Sequence, residues 1–280
     1  MKVPIVNLKK QYLKYKEEIL YTVDKVLNSG NYVLGNELQN FEINFAKYCG
    51  TKYSIGVASG SDALTLSLLS LGIKKDDEVI TVPNSFVATV WTIANIGAKP
   101  IFVDIGNDFN INVDLIEKSI NKKTKAIIPV HLFGRVAQMD YLNEIAKINN
   151  LVVIEDAAQS IGAEYKNKKS GSFGDTGCFS LHPLKNLHIY GDGGVITTDN
   201  ENIYNYLKKI RNHGLKNRDE CEFWGYNSRL DEIQAAIANI KLKYIDEINS
   251  KFRRIADIYT KNLSKKILTK NYFNFESPVF

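Results

Sequence analysis

Asp156 and Lys185 each stand just past the end of a short apolar run. Leu151-Val152-Val153-Ile154 is apolar and partly β-branched, the mark of a buried strand, and it runs into Glu155 and Asp156. In α/β sheets, ligands gather beyond the carboxyl ends of strands, which is where Asp156 falls. A second run, residues 177–181, leads through His182-Pro183-Leu184 into Lys185. Gly191-Asp192-Gly193-Gly194 then turns into a further strand at 195–198. Taken singly, an Asp at a strand end is usually a cap and a Lys is usually solvated. Taken together, they supply the two groups that pyridoxal 5'-phosphate (PLP) requires: an amine for a Schiff base and an acid against the pyridine nitrogen.

The elements that must position this pair follow from hydrophobic period. Residues 12–27 place Tyr12, Tyr15, Ile19, Val23 and Val26 near one helical face. Residues 37–48 repeat Leu38, Phe41, Phe45 and Tyr48 at helical spacing before Gly50. A strand at 53–57 enters Ala58-Ser59-Gly60-Ser61-Asp62-Ala63-Leu64, which opens a helix to Leu71. Strand, small-residue turn and helix N-terminus make an anion site, because unpaired N–H groups and the helix dipole both favour phosphate. The same residue types are also ordinary N-caps. Further strands are expected at 78–82, 100–104 and 126–130. Helices are expected from Pro83-Asn84-Ser85-Phe86 to about Ile96, at 113–120 and at 139–148. Strands and helices alternating in this way mean βαβ units and a mainly parallel sheet. After a helix at 201–211, His213-Gly214 breaks the chain and 215–222 is a polar loop. Residues 225–232 then open a long helix with Ile233, Ala236, Ile237, Ile240 and Ile245 on its apolar side, and 251–263 form another.

Composition narrows the function classes. The 280 residues are 44% hydrophobic and 24% charged, an ordinary globular balance. The net charge of +5 is spread along the chain without a basic stripe, which argues against a nucleic-acid partner and suits an anionic substrate. Cys49, Cys178 and Cys221 are odd in number and widely spaced, as expected of a reducing, cytoplasmic compartment with no disulfide framework. His131, His188 and His213 show no metal-ligand spacing, so no metal is expected. The charged N-terminus is not a signal peptide. Residues 79–98 lack charge but contain Pro83, Asn84, Ser85, Asn95 and Gly97, so they read as strand, turn and helix rather than a membrane span.

The strings EDAAQS, FSLHPLKNL and GDGGVITT, beginning at Glu155, Phe179 and Gly191, together resemble the DegT-type branch of fold-type I PLP enzymes, the nucleotide-sugar aminotransferases. The resemblance runs from about Val3 to the end of the chain. It implies an α/β fold: a fold-type I large domain with a mainly parallel central sheet, helices on both faces, and long helices after it. The implied boundaries are 1–240 for the PLP-binding domain with its N-terminal helices, and 241–280 for connecting helices and the start of a C-terminal small domain. In the family that small domain completes the substrate cleft. The chain ends at Phe280, where it would begin, so the sequence predicts a fragment or a shortened form.

By the same resemblance, Lys185 is the Schiff-base lysine and moves a proton between the donor's α-carbon and the cofactor, while Asp156 keeps the pyridine nitrogen protonated. Gly60, Ser61 and the backbone at Asp62 match the turn that holds the PLP phosphate. The Asp62 carboxylate, an anion beside an anion, is expected to turn away and cap the helix. Ser180 is implied as a phosphate donor and Gln159 as a neighbour of the phenolic oxygen. Phe86 has two readings, a core aromatic or a ring stacked on the pyridine. Asn227, within Gly225-Tyr226-Asn227-Ser228-Arg229, is either an N-cap or, as in the family, a donor to the phosphate in a partner chain. The latter implies a homodimer with shared active sites. His182, Tyr190 and Arg229 are candidates to meet substrate or simply to pack. The implied reaction moves an amino group from an amino acid, glutamate by resemblance, to a keto sugar on a nucleoside diphosphate. Its product would be an amino-deoxy sugar for surface polysaccharide or glycoconjugate. The KNL and GDGG strings lie nearer to members that aminate C3 than to those that aminate C4. Two alternatives stand beside this: a truncated PLP-binding paralogue without turnover, and a PLP-dependent sugar dehydratase. In the dehydratases histidine replaces the lysine, so Lys185 speaks against that reading.

Overall fold

The computed structural model describes residue 4, residues 6–264 and residues 276–279. Two helices, α1 (Leu8–Ser29) and α2 (Asn36–Cys49), precede β1 (Tyr53–Val57) and α3 (Gly60–Ser70). Next come β2 (Glu78–Thr81), α4 (Val87–Asn95), β3 (Lys99–Phe102), the short α5 (Val113–Ile116) and β4 (Thr124–Ile127). Helix α6 (Met139–Ile148) leads into β5 (Val152–Asp156), and a small hairpin follows, β6 (Glu164–Tyr165) with β7 (Lys168–Lys169). The chain continues through β8 (Thr176–Ser180), β9 (Gly194–Thr198), α7 (Glu201–Ile210), α8 (Glu232–Leu242), α9 (Ile245–Asn262) and β10 (Glu276–Ser277).

Seven strands form one sheet in the order β1-β9-β8-β5-β4-β2-β3. β3, β2, β4, β5 and β8 run parallel, and β9 is antiparallel to both of its neighbours. The mainly parallel sheet expected from the βαβ spacing is therefore present. Both faces are covered, and successive residues of a strand divide between them, as a period of two requires. Phe179 and Val195 join a core with Leu38, Phe41 and Phe45 of α2 and Ile237 and Ile240 of α8. Cys178 and Ile196 join the opposite core with Leu64 and Leu68 of α3 and Leu207 of α7. Ile127 and Val153 pack with Met139 and Leu142 of α6 in a third. Each fully buried side chain of this kind contributes about 2 kcal/mol.

Register gathers the functional end of the sheet. Asp156 lies beside Cys178, Ser180 lies beside Gly194, and Val57 lies on the other side of Gly194. The carboxyl ends of β1, β5 and β8 thus share one edge, so the turns after them face common ground.

Three differences from the sequence expectations have physical reasons. The helix expected to open at 225–232 begins only at Glu232, with Asp231 as N-cap. Residues 225–228 stay extended because their backbone is engaged elsewhere: Tyr226 N–H donates to Ile210 O (2.7 Å) and Ser228 N–H to Arg211 O (2.9 Å). The long apolar stripe is also broken, since Ile245 belongs to α9, beyond a turn where Tyr244 stacks on Tyr15 at 4.8 Å. The β6–β7 hairpin went unseen because each strand has only two residues. β10 pairs with β6, so residues 276–277 add a strand to that hairpin. Among the described residues no helix is long and apolar enough to cross a membrane.

Candidate active site

Asp156 closes β5 and is buried. Its backbone is fixed on both sides, the N–H donating to Pro129 O (2.9 Å) and the carbonyl accepting from His131 N–H (3.0 Å). Its carboxylate accepts from Thr89 Oγ1 (2.7 Å, to Oδ2) and from Ala158 N–H (3.2 Å, to Oδ1). Burial pushes its pKa up, against the opposing pull of those two donors and of Lys185 and His131. Glu155, one residue earlier, points to the other face and does different work. It accepts from Gly171, Phe173 and Gly174 N–H (2.7, 2.7 and 2.8 Å), which pins the 171–174 turn. Ala137 N–H donates to His131 Nδ1 (3.2 Å), so the ring donates through Nε2 to Glu155 Oε2 (2.9 Å). Two adjacent carboxylates are thereby separated by the pleat into one that holds the scaffold and one that faces the site.

Lys185 lies in the loop between β8 and β9, half-buried, with its N–H donating to His182 O (2.8 Å). Burial lowers its pKa, and the Asp156 charge partly offsets that. The loop is anchored on both sides. Leu187 and Ile189 are in the core, and Asn186 Nδ2 donates to Ile161 O (2.7 Å) and to Asn249 Oδ1 (3.0 Å). His188 Nδ1 bonds the Lys185 carbonyl at 3.1 Å. Burial, then the nearby Lys241, pushes the His188 pKa down to about 4, so the ring is neutral and Nδ1 is the donor. Gln234 of α8 holds both backbone groups of Tyr190, accepting from its N–H (3.2 Å) and donating to its carbonyl (2.8 Å).

The turn into α3 has the form of an anion cradle. Ser59, not Asp62, caps the helix, accepting from Asp62 N–H at 3.0 Å. The Asp62 carboxylate does turn away, but to accept from Ser228 Oγ (2.6 Å). Asp62 N–H, expected to face the phosphate, is held by the cap, and Ala63 N–H returns to Ser59 O (3.0 Å). Helix geometry leaves the N–H groups of Gly60 and Ser61 as the first two without an intrahelical acceptor. Gly60 abuts the end of β8 so closely that a Cβ there would sit 2.7 Å from Ser180 Cβ. Ser180 Oγ accepts from His182 N–H at 3.3 Å.

The other expected residues divide. Phe86 ends the loop before α4 and is 71% exposed, which removes the core reading and leaves a free aromatic face one turn from Thr89. Gln159 Oε1 accepts from Phe133 N–H at 2.9 Å. Asn227 is exposed and bridges to Asn212 through its backbone; it does not cap α8. Arg229 Nη1 donates to Asn212 Oδ1 (3.2 Å), and His182 Nδ1 accepts from Leu184 N–H (3.3 Å) within its own turn. The Tyr190 ring lies edge-on to Tyr12 at 6.0 Å. Sequence reasoning missed Thr89, Ser59, Ser228, His188 and Lys241. Ser59-Gly60-Ser61-Asp62 carries the S-x-x-[DE] signature that marks Ser59 as a cap. No local signal marks Thr89.

These residues fit PLP. A buried carboxylate oriented by Thr89 and Ala158 can accept from a pyridinium N–H, and the half-buried Lys185 amine is near enough for its charge to act on that carboxylate. The turn whose Cβ-free Gly60 meets Ser180 suits a phosphate. The sequence profile of the DegT/DnrJ/EryC1/StrS aminotransferase family matches residues 14–271. The dTDP-3-amino-3,6-dideoxy-alpha-D-galactopyranose transaminase of Aneurinibacillus thermoaerophilus is 45% identical over 267 residues, which cover 95% of this chain and 74% of that one. Among solved structures, S. venezuelae DesV in complex with a ketimine intermediate superposes with a TM-score of 0.96 at 38% identity, covering 99% of this chain and 76% of that one. NtdA from Bacillus subtilis with bound cofactor PMP superposes with a TM-score of 0.88 at 36% identity, covering 93% and 60%.

Proposed function

Because this chain belongs to the DegT/DnrJ/EryC1/StrS aminotransferase family of PLP-dependent enzymes, we propose that it transfers an amino group from an amino acid, glutamate first among candidates, to a keto sugar carried on a nucleoside diphosphate. The observation that carries this reading is the pairing of Asp156, held by Thr89 at 2.7 Å, with the half-buried Lys185, whose charge acts on it. PLP, when bound, supplies the electron sink for the carbanion at the reacting carbon. Asp156 holds a proton on the pyridine nitrogen, and Thr89 and Ala158 fix the direction of its carboxylate. Lys185 anchors the cofactor at rest. Its amine, whose pKa burial lowers, then carries the α-proton of the donor. Gly60, Ser61 and Ser180 bind the phosphate, with Asp62 shaping the turn, and Phe86 offers its face to the ring. Gln159 stands at the phenolic edge. Asn227 of a second copy completes the phosphate site in a homodimer, and His182, Tyr190 and Arg229 border the acceptor. The 3-amino sugar named for the Aneurinibacillus relative favours amination at C3. Lysine rather than histidine at 185 favours transamination over dehydration.

Replacing Lys185 by Ala tests this directly. Borohydride should fix PLP to one lysine of the wild-type chain and to none in the variant. Glutamate should bleach the visible cofactor absorbance of the wild type only. Single-site fixation that survives in Lys185→Ala would place the anchor elsewhere.

A further inference from the structure

Two phenylalanines, Phe109 and Phe133, are held in left-handed backbone conformations, at φ 65° and φ 54°. That region crowds Cβ against the following carbonyl and is uncommon for bulky side chains. Strain of this kind persists where surroundings over-determine it, and it clusters at ligand sites. The surroundings do so here. The buried side chain of Asn110 accepts from Leu132 N–H (3.2 Å) and donates to Arg135 O (3.2 Å), tying the Phe109 loop to the Phe133 turn. Val279 N–H donates to Gly134 O (3.0 Å) from behind, and Arg135 pairs with Glu276 at 2.8 Å. Gly134, at φ 75°, has no room for a Cβ beside Val279. Phe133 is under no such demand for its ring: 59% of it is exposed, and neither phenylalanine joins a core. The strain therefore serves no burial. It presents an edge-to-face pair, with centroids 6.0 Å apart, to the outside.

The place where the pair is presented is specific. Phe133 N–H donates to Gln159 Oε1 (2.9 Å), three residues past Asp156, and His131, two residues before Phe133, bonds the Asp156 carbonyl. We propose that Phe133, backed by Phe109, is a platform that stacks on the carbon–hydrogen face of the acceptor's sugar ring; this rests on the nucleotide-sugar reading above. An aromatic face is electronegative and attracts the electropositive C–H groups of a deoxyhexose. Glutamate, small and carrying two carboxylates, has no such face. The nucleobase is separated from the reacting carbon by a diphosphate and a ribose, whereas Phe133 is one hydrogen bond from Gln159.

The experiment compares Phe133→Gly and Phe133→Tyr with wild type, as holoenzymes, using a dTDP-linked 3-keto-6-deoxyhexose as acceptor and dTDP alone as inhibitor. Glycine relieves the left-handed strain, so the urea midpoint of Phe133→Gly should hold or rise while its KM for the acceptor rises tenfold or more. The donor half-reaction with glutamate and the inhibition constant of dTDP should move less than threefold, and Phe133→Tyr should restore the acceptor KM. An unchanged acceptor KM overturns the proposal. A lower urea midpoint with both half-reactions impaired equally overturns it in favour of a structural role. A loss of dTDP inhibition equal to the change in KM overturns it in favour of base stacking. If the wild-type protein aminates no dTDP- or UDP-linked keto sugar, the parent reading has failed, and this one with it.

Discussion

Lys241 brings an ammonium into the interior with no hydrogen-bond partner for its Nζ among the described residues, and only 3% of the residue is exposed. Its Nζ lies 4.1 Å from the centroid of the Tyr190 ring. Burial lowers its pKa from 10.5 to about 7. Below pH 7 folded and unfolded chains both carry the proton, and the folded chain bears the whole penalty of the buried charge. Between pH 7 and about 10.5 the unfolded chain binds more protons than the folded one, so stability rises with pH across that window. Lys241→Met keeps most of the volume and removes the charge. It forfeits a cation–π contact of about 1–2 kcal/mol, which is smaller than the desolvation it relieves. The variant should therefore be more stable than wild type at pH 6, and the difference should shrink by pH 9. Urea midpoints at the two pH values decide it; equal slopes against pH in both proteins would remove the buried ammonium as the cause. At this scale Asp156 and Lys185 were legible because each follows a strand end. Thr89 and Lys241 were not, because helical period assigns a residue to a face without saying what packs against that face.

Among the elements, the β1–α3 turn shows how closely a site and a fold can be matched. Gly60 lies in the first turn of a helix, where alanine would normally gain about 1 kcal/mol over glycine. Here the new Cβ would meet Ser180 Cβ at 2.7 Å and Ser180 Cα at 3.1 Å, and neither atom belongs to a flexible side-chain end. The clash outweighs the propensity, so Gly60→Ala should destabilise the cofactor-free chain by about 1–3 kcal/mol. It should also weaken PLP binding, since the N–H groups of residues 60 and 61 are displaced with the turn. Urea unfolding without cofactor and a PLP titration read the two effects separately, and a stabilised variant of normal PLP affinity would refute the packing argument. The strands and helices of the parallel sheet were legible within a few residues, because apolar runs and turn residues alternate without ambiguity. The start of α8 was not. Residues 225–228 look compatible with a helix locally, and backbone bonds with Ile210, Arg211 and His213 keep them extended. Glu232 illustrates the same limit. It stands in the first turn of α8, yet it accepts from Gly35, Glu37 and Leu38 N–H, each at 2.9 Å, and so caps α2 from almost two hundred residues away.

For the whole molecule, the homodimer proposed above makes a specific demand on the exposed surface around the site. Val87 and Trp91 follow Phe86, Leu184 precedes Lys185, and Trp224 and Tyr226 precede Asn227; all five are exposed, Trp224 to 96%. Exposed large apolar side chains, where they adjoin, mark an interaction surface. Asn227 sits between Tyr226 and Ser228, whose hydroxyl donates to Asp62 at the β1–α3 turn, yet Asn227 is exposed and caps no helix among the described residues. In a twofold dimer each such contact occurs twice, so Asn227 of each chain would serve the site built on the other chain's Lys185. Mixing tests this. Lys185→Ala and Asn227→Ala chains, each impaired alone, form a heterodimer in which one site carries both defects and the other carries neither. Random exchange of equal amounts makes half the dimers mixed, each with one intact site of two, so activity should recover to about one quarter of wild type. If Asn227 served its own chain's site, every site in the mixture would keep one defect and no activity would return. Subunit exchange shown by a size or affinity tag, with activity still absent, would therefore reject the shared site. A strictly monomeric chain that binds PLP tightly would reject the dimer itself.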